Sequence, residues 1–536
     1  MQDSDDSAST RQDEVLDFLA RPQTHGIAGP VGRIDTLISV VFLAGERAYK
    51  LKRAVRLPYL DFSTVELRWA ACLEEVRLNA RTAPTVYLGV VPVVRRPGGG
   101  LALGGEGEAL DWLVQMRRFD QDALLDAVAG RGELDPRLAR RLADGIAGFH
   151  EAQPPVAGYG GIRGMCALLD LNEARLAATG DGILDPETVR AVNAESRARL
   201  TALSETVERR RQEGRVRRLH GDLHLRNIVL IDGEPTLFDA IEFNPEIACC
   251  DVLYDLAFLL MDLVHRGLGG TACAIMNRYL DMTGDEDAHL LPFYMSVRAA
   301  IRAHVTAGAA GVAAPADRTQ RVAEASAYLS LALDLLRPQQ PVVLAIGGFS
   351  GTGKSTLAAR LAPRFAPGPG ARVLRTDVLR KRMAGVAPET RLPEALYHAD
   401  RSEAVYAEAV RLACAAAAQG HPVIVDGVFA TAAQRDAIEE AAHAASLAFA
   451  GLWLDGDGAV LKARIAARSS DASDADAAVL DRQLGLEPGP VRWERIAAYG
   501  PPQAVAAAAQ RHLAALGLHL RDEADDDAAM ERSRSR

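Results

Sequence analysis

The sequence has little of what marks several large classes of protein. Its six cysteines (Cys72, Cys166, Cys249, Cys250, Cys273 and Cys414) form no C-x-x-C pair and fall at no zinc spacing. This excludes a disulfide scaffold and reads as buried thiols in a reducing compartment. The most apolar helical stretch, Leu253 to Val264, is interrupted by Asp255 and Asp262, so nothing is set to span a bilayer. Basic charge is not in excess. A formal net charge of −10 argues against a general nucleic-acid or membrane-surface binder, though it leaves room for a local basic patch. The acidic, polar stretch Met1 to Arg11 lacks the pattern of a signal peptide and reads as disordered. No repeat period is visible. What remains is a cytoplasmic chain of 536 residues, long enough for two or more domains with ample core.

The most informative stretch runs from Gly347 to Thr356 and fits G-x-x-x-x-G-K-[ST] from Gly348 to Ser355. It follows Val342 to Ile346, an apolar run suited to a buried parallel strand, and leads into Leu357 to Leu361, which reads as helix. Strand, glycine loop and helix in that order are the context the motif needs. Gly348, Ser350, Gly351, Thr352, Gly353 and Thr356 then present backbone N–H groups to a polyphosphate at a helix N-terminus. Lys354 reaches the β- and γ-phosphates and Ser355 holds Mg²⁺. This half of the chain is expected to bind a nucleoside triphosphate.

Earlier in the chain the pattern changes. After a short helix at Asp13 to Ala20, Leu37 to Leu43 and Ala48 to Lys52 read as a hairpin turning at Ala44 to Arg47. Period two puts Lys50 and Lys52 on one face. Thr64 to Thr82 has helical periodicity and carries Glu74 and Glu75; strands at Tyr87 to Val94 and Asp111 to Arg117 follow. From Ala123 to about Arg211 the chain reads as helical. A second chemical centre lies at His220-Gly221-Asp222-Leu223-His224-Leu225-Arg226-Asn227, with Asp239 ending the second of two short strands. One carboxylate there suits a substrate hydroxyl, while an amide oxygen and a second carboxylate suit a hard cation. His220 and His224 have no cysteine or third histidine at a ligand spacing, which disfavours zinc.

At these residues the chain resembles a known family. H-x-D-x-x-x-x-N followed by two short strands and an Asp is similar to the catalytic loop of protein-kinase-like folds. His-Gly-Asp-Leu-His, with Phe-Asp-Ala-Ile-Glu-Phe in place of Asp-Phe-Gly, resembles the aminoglycoside and choline phosphotransferase branch. The resemblance implies an α+β bilobal domain over residues 25–335, with Asp222 as catalytic base and Asn227 and Asp239 as Mg²⁺ ligands. It favours Lys52 as the phosphate lysine, with Lys50 as runner-up and Glu75 as partner, and it puts the adenine hinge at Gln115-Met116. Asp251 and Asp255 are expected to brace the catalytic loop. The chain departs from the pattern in having no G-x-G-x-x-G before the lysine hairpin, only Gly26, Gly29 and Gly32, and no Ala-Pro-Glu element.

Residues 336–341 read as a proline-punctuated linker after the first 24 residues and the domain at 25–335. Alternating strands and helices then imply an α/β P-loop domain with a parallel sheet over 342–520, before a charged, disordered tail at 521–536. Its third strand, Pro422 to Gly427, offers Asp426 to the Mg²⁺ site. Thr376-Asp377-Val378-Leu379-Arg380 resembles the Asp-x-x-Arg of gluconate-kinase-like, zeta-toxin-like and polynucleotide-kinase-like P-loop kinases. That resemblance makes Asp377 the residue that orients or deprotonates an acceptor hydroxyl and Arg380 a substrate-holding residue. It also makes Leu461 to Arg468 a lid helix whose Arg464 and Arg468 reach transferring phosphate. Together the two halves are similar to bacterial bifunctional aminoglycoside phosphotransferase/ATP-binding proteins. The expected function is an ATP- and Mg²⁺-dependent kinase with two phosphoryl-transfer modules acting on small-molecule hydroxyl acceptors. The alternative is one active kinase module beside a nucleotide-sensing regulatory ATPase. No nucleic-acid or membrane partner is expected, and the sequence leaves the acceptors and the oligomeric state open.

Overall fold

The computed structural model describes residues 12–57, 60–179, 182–311, 313–466 and 473–521. Residues 1–11, residues 522–536 and Arg468 lie outside the described residues, as do Asp471 and Ala472, whereas Arg521 of the expected tail is described and its N–H donates to Arg364 O at 3.0 Å. The chain divides into two compact units. The first comprises residues 1–141, 148–164 and 206–255, and the second comprises 142–147, 165–205 and 256–536. This division does not follow the expected boundaries near 335 and 342.

In the first unit, six antiparallel strands run in the order Gly32–Asp35, Ser39–Ala44, Arg47–Lys52, Glu108–Arg117, Tyr87–Arg95, Leu101–Leu103. The lysine hairpin forms in the expected place, with Val41 opposite Lys50 and Ser39 opposite Lys52. Leu37 and Ile38 are the exceptions: expected in the strand, they lie in the Thr36–Ser39 turn, where Ser39 N–H donates to Thr36 Oγ1 at 2.9 Å and the backbone closes by Thr36 N–H to Ser39 O. One face of the sheet buries Val40, Phe42, Leu51 and Leu113 against Val15 and Leu19 of the helix at 12–19. The other packs Ala48, Val114 and Met116 with Cys72 of helix Val65–Asn79. That helix starts where Thr64 Oγ1 accepts the Leu67 N–H at 3.3 Å, satisfying one of the amides a helix start leaves unbonded. A hairpin of Ile228–Ile231 and Glu234–Leu237 follows the His-Gly-Asp loop as expected.

The second unit holds a five-stranded parallel sheet in the order Arg372–Arg375, Val423–Asp426, Val342–Gly347, Ala448–Asp455, Glu494–Ala497. The central strand is buried along its whole length, which is why its sequence is an unbroken apolar run. Each fully buried Val, Leu or Ile contributes roughly 1.5–3 kcal/mol. The strands' C-terminal ends carry the P-loop, Thr376-Asp377 and Asp426, so one sheet edge gathers all three. Helices Gly269–Thr283, Leu291–Gly311 and Pro315–Leu336 belong to the same unit. No helix among the described residues is long and apolar enough to cross a membrane.

Candidate active sites

In the first unit the hairpin lysines, the helix glutamate and the post-hairpin aspartate converge. Lys50 Nζ lies 2.9 Å from Glu75 Oε1 and 2.5 Å from Asp239 Oδ1. Lys52 Nζ lies 2.6 Å from Glu75 Oε2 and also pairs with Glu242 Oε1. Glu75 therefore bridges the two lysines. Lys52 is sealed in at 1 % side-chain exposure, whereas Lys50 is 14 % and its partner Asp239 is 40 % exposed. The lysine that faces the accessible carboxylate is Lys50, and Lys52 sits behind it. Burial opposes charge on Glu75, but the two lysines more than offset it and hold its carboxyl down near 2. Glu242 was not singled out by the sequence reading. Burial raises its carboxyl, with Lys52 opposing.

Local contacts fix these groups. Asp239 adopts φ +64°, a left-handed conformation that Asp tolerates better than most residues. Its N–H donates to Tyr87 Oη at 3.1 Å, and the next amide, Ala240 N–H, donates to Asn79 Oδ1 at 2.9 Å. Asn79 ends the helix that carries Glu75, so helix and loop are tied beside the cluster. The catalytic-loop residues hold one another: Asn227 Nδ2 donates to Asp222 O and Oδ2, both at 2.9 Å. Asp255, wholly buried, accepts from Gly221 N–H at 2.8 Å and lies 3.1 Å from His150 Nε2. Asp251 is turned elsewhere, into a bidentate pair with Arg210 at 2.8 Å on both arms. His220 Nε2 meets Phe238 O at 2.8 Å; burial lowers its pKa, and Asp255 and Asp222 oppose that only in part. Gln115 and Met116, expected at the adenine hinge, are flanked by strands on both sides.

In the second unit the P-loop is shaped by its neighbours. Gly348 has φ +136°, and a Cβ there would sit 2.7 Å from Leu454 O. Lys354 Nζ donates to Phe349 O at 3.2 Å, and Ser355 Oγ donates to Asp426 Oδ2 at 2.5 Å. Phe349 packs against Leu461, Ile465 and Leu480, which brings helix Gly458–Ala466, with half-buried Arg464, against the loop. Ser350 N–H, at the heart of the motif, donates to Gln483 Oε1 at 2.8 Å. No local pattern marks Gln483; it comes from helix Ala477–Leu484. Asp377 lies in the first turn of helix Thr376–Met383. Burial raises its carboxyl, while Ser473, Arg375 and Lys354 pull the other way. Arg380 is already committed: it donates to Leu396 O at 2.7 Å and to Ser402 Oγ at 3.3 Å, and stacks 4.8 Å over Tyr397. It braces that segment. Asp474 collects Tyr397 Oη at 2.6 Å, Leu392 N–H at 2.9 Å and Lys381 Nζ at 3.1 Å, none of which the sequence pattern flagged.

Both donor sets fit a hard cation. The side-by-side hydroxyl and carboxylate of Ser355 and Asp426 are oxygen donors. With Asn227 Nδ2 spent on Asp222, that amide keeps its oxygen to offer, and Asp239 has a carboxylate.

Residues 70–291 match the family model described as phosphotransferase enzyme family, and residues 343–488 match that of an AAA domain. The chain is 30% identical over 453 residues to Uncharacterized protein Rv2004c of Mycobacterium tuberculosis, covering 83% of this chain and 88% of that one. Among solved structures it is similar to a choline/ethanolamine kinase family protein from Mesorhizobium loti (16% identity, 61% of this chain and 99% of that chain, TM-score 0.36). It is also similar to a gluconokinase from Sinorhizobium meliloti 1021 (25% identity, 33% and 94%, TM-score 0.25). The chain belongs to the family of the mycobacterial protein, and its two matched segments make it a phosphotransferase that joins an α+β aminoglycoside-phosphotransferase-like, kinase-like domain to an α/β P-loop kinase domain.

Proposed function

We propose that the chain carries two separate ATP- and Mg²⁺-dependent phosphoryl-transfer sites, in functional modules spanning 25–335 and 342–520, each acting on a small-molecule hydroxyl. The observation that carries this reading is the Lys50–Glu75–Asp239 cluster, drawn from positions 25 and 189 residues apart. The complete P-loop at Gly348 to Ser355 draws on none of these residues, which supports a second, separate phosphate site.

In the first module Asp222 accepts the proton of the acceptor hydroxyl as its oxygen attacks the γ-phosphorus. The bond from that phosphorus to the β–γ bridging oxygen breaks, and ADP leaves. Asn227 and Asp239 would hold Mg²⁺ there, as Ser355 and Asp426 would in the P-loop module. Bound Mg²⁺ would neutralise charge on the phosphate oxygens. The phosphate lysine is Lys50 in this reading: its ammonium exchanges Asp239 for phosphate, while Lys52 keeps Glu75 in place. In the P-loop module the backbone from Gly348 to Thr356 and Lys354 hold the phosphates, Asp377 orients the acceptor and Arg464 meets the transferring group. Arg380 supports the acceptor side through Tyr397 and Leu396.

The test is a screen of sugars, nucleosides, aminoglycosides and hydroxylated metabolites with the full chain and two variants. Asp222→Asn is expected to remove one set of transfer activities while sparing Mg·ATP binding. Asp377→Ala is expected to cost about a hundredfold in the other set, with ATP affinity near wild type. Should Asp377→Ala keep full transfer, the second module is a nucleotide-sensing ATPase and one active kinase remains.

A further inference from the structure

Helix Gly269–Thr283 lies in the segment that matches the phosphotransferase family, and strand Arg372–Arg375 lies in the segment that matches the AAA domain. Both belong to the second compact unit. The strand stands at the end of the five-stranded order and pairs on one side only, with Val423–Asp426. Successive residues of a strand direct their N–H and C=O groups to opposite sides. Arg372 N–H donates to Pro422 O at 2.9 Å, so Val373 N–H and Ala371 C=O face the open side. Edges of this kind invite pairing with other chains.

Asn277 fills the edge. Its Oδ1 accepts from Val373 N–H at 2.7 Å and its Nδ2 donates to Ala371 O at 3.1 Å. One side-chain amide thus supplies the donor and acceptor that one residue of an added parallel strand would supply. The neighbouring contacts reinforce it. Arg372 donates to Asn277 Oδ1 at 3.1 Å and pairs with Asp281 Oδ1 at 2.6 Å, the two side chains only 7 % and 15 % exposed. Arg278 pairs with Asp144 at 2.5 Å and with Glu389 at 2.8 Å. Glu389 follows helix Thr376–Met383, and Arg372 precedes it, so helix Gly269–Thr283 grips the chain on both sides of Asp377.

We infer that helix Gly269–Thr283 is a clamp that positions the acceptor side of the P-loop site, with Asn277 as its positioning residue. The inference rests on Asp377 as the acceptor-orienting group. Transfer in the P-loop site then depends on a residue of the other family segment, because a shift of about 1 Å in a reacting group can cost about a hundredfold.

The test uses the full chain and site-resolved hydrogen exchange. Asn277→Ala is expected to speed exchange at least tenfold at Val373 and at Arg380 and Lys381, amides within the Asp377 helix. Asn277→Asp, which keeps the oxygen for Val373, is expected to retain protection there. ATP affinity should not change in either. Transfer from Mg·ATP to gluconate, choline, kanamycin and glycerol is followed with labelled γ-phosphate; the part lost in Asp377→Ala should fall about tenfold in Asn277→Ala and recover in part in Asn277→Asp, and the part lost in Asp222→Asn should not change. Equal exchange at Arg380 and Lys381 in wild type and Asn277→Ala would overturn the clamp, as would faster exchange with undiminished transfer. If Asn277→Ala does not fold, Asp281→Asn, which loosens Arg372 alone, is read by the same amides. Wild-type protein that transfers to none of the four probes would count against the two-site function, and the exchange result would still decide the clamp.

Discussion

The two candidate sites solve the same chemical problem with different material. The P-loop site is made of backbone: glycines in conformations closed to other residues and a helix start, within ten consecutive positions. The site in the first unit is made of side chains, two lysines against three carboxylates, gathered from a strand, a helix and a loop. A backbone cradle holds its shape before ligand arrives. A side-chain cluster must satisfy its charges in the empty state, and here it does so by pairing Lys50 with the carboxylate expected to bind metal. On the proposed reading, nucleotide would exchange the partners of Lys50 in one site, and in the other it would displace Gln483 from Ser350 N–H and Phe349 O from Lys354 Nζ.

The largest test of that contrast is stoichiometry. Calorimetry on the full chain is expected to find two Mg·ATP sites in wild type, one in Lys354→Ala and one in Asp239→Asn. Two sites surviving in Lys354→Ala would break the backbone-cradle reading.

Next is the division between the lysines. Removing one partner of a buried ion pair leaves an uncompensated charge and costs about 3–5 kcal/mol, so Lys52→Met should lower stability by that order in urea unfolding. Lys50→Met should cost less stability and more than tenfold in Mg·ATP affinity, read in a Lys354→Ala background. A reversed pattern would return the phosphate role to Lys52.

The smallest effect is in acid. His421 is fully buried in the second unit with no hydrogen-bond partner on either ring nitrogen, and burial, aided by His289 and Arg372, pushes its pKa down to about 3. Its unfolded value is near 6.5. Its contribution is thus full above about 6.5 and is lost as pH falls toward 3, at about 1.4 kcal/mol per pH unit. Glu75, held near 2, gives up its contribution only below about 4.3. Thermal unfolding between pH 6.5 and 4.5 should therefore be flatter in His421→Phe than in wild type, and an unchanged slope would remove His421 as the sensor.

The P-loop was legible in the sequence because its function is carried by consecutive residues and by glycine, whose role is local and conformational. The His-Gly-Asp loop was legible for the same reason, its Asp222–Asn227 bond spanning five residues. The order of strand, loop and helix likewise followed from period and turn chemistry. Tertiary structure decided the rest. Lys50 and Lys52 share a face by period two, and only packing against Glu75 and Glu242 sealed one and left the other beside Asp239. Arg380 matched a motif, yet Tyr397 and Leu396 had claimed its guanidinium. Gln483 and Asn277 carry no local signal, because each acts on a backbone group more than ninety residues away. Charge pairing and amide bonding over such separations depend on where the chain has been folded to, which no spacing in the sequence records.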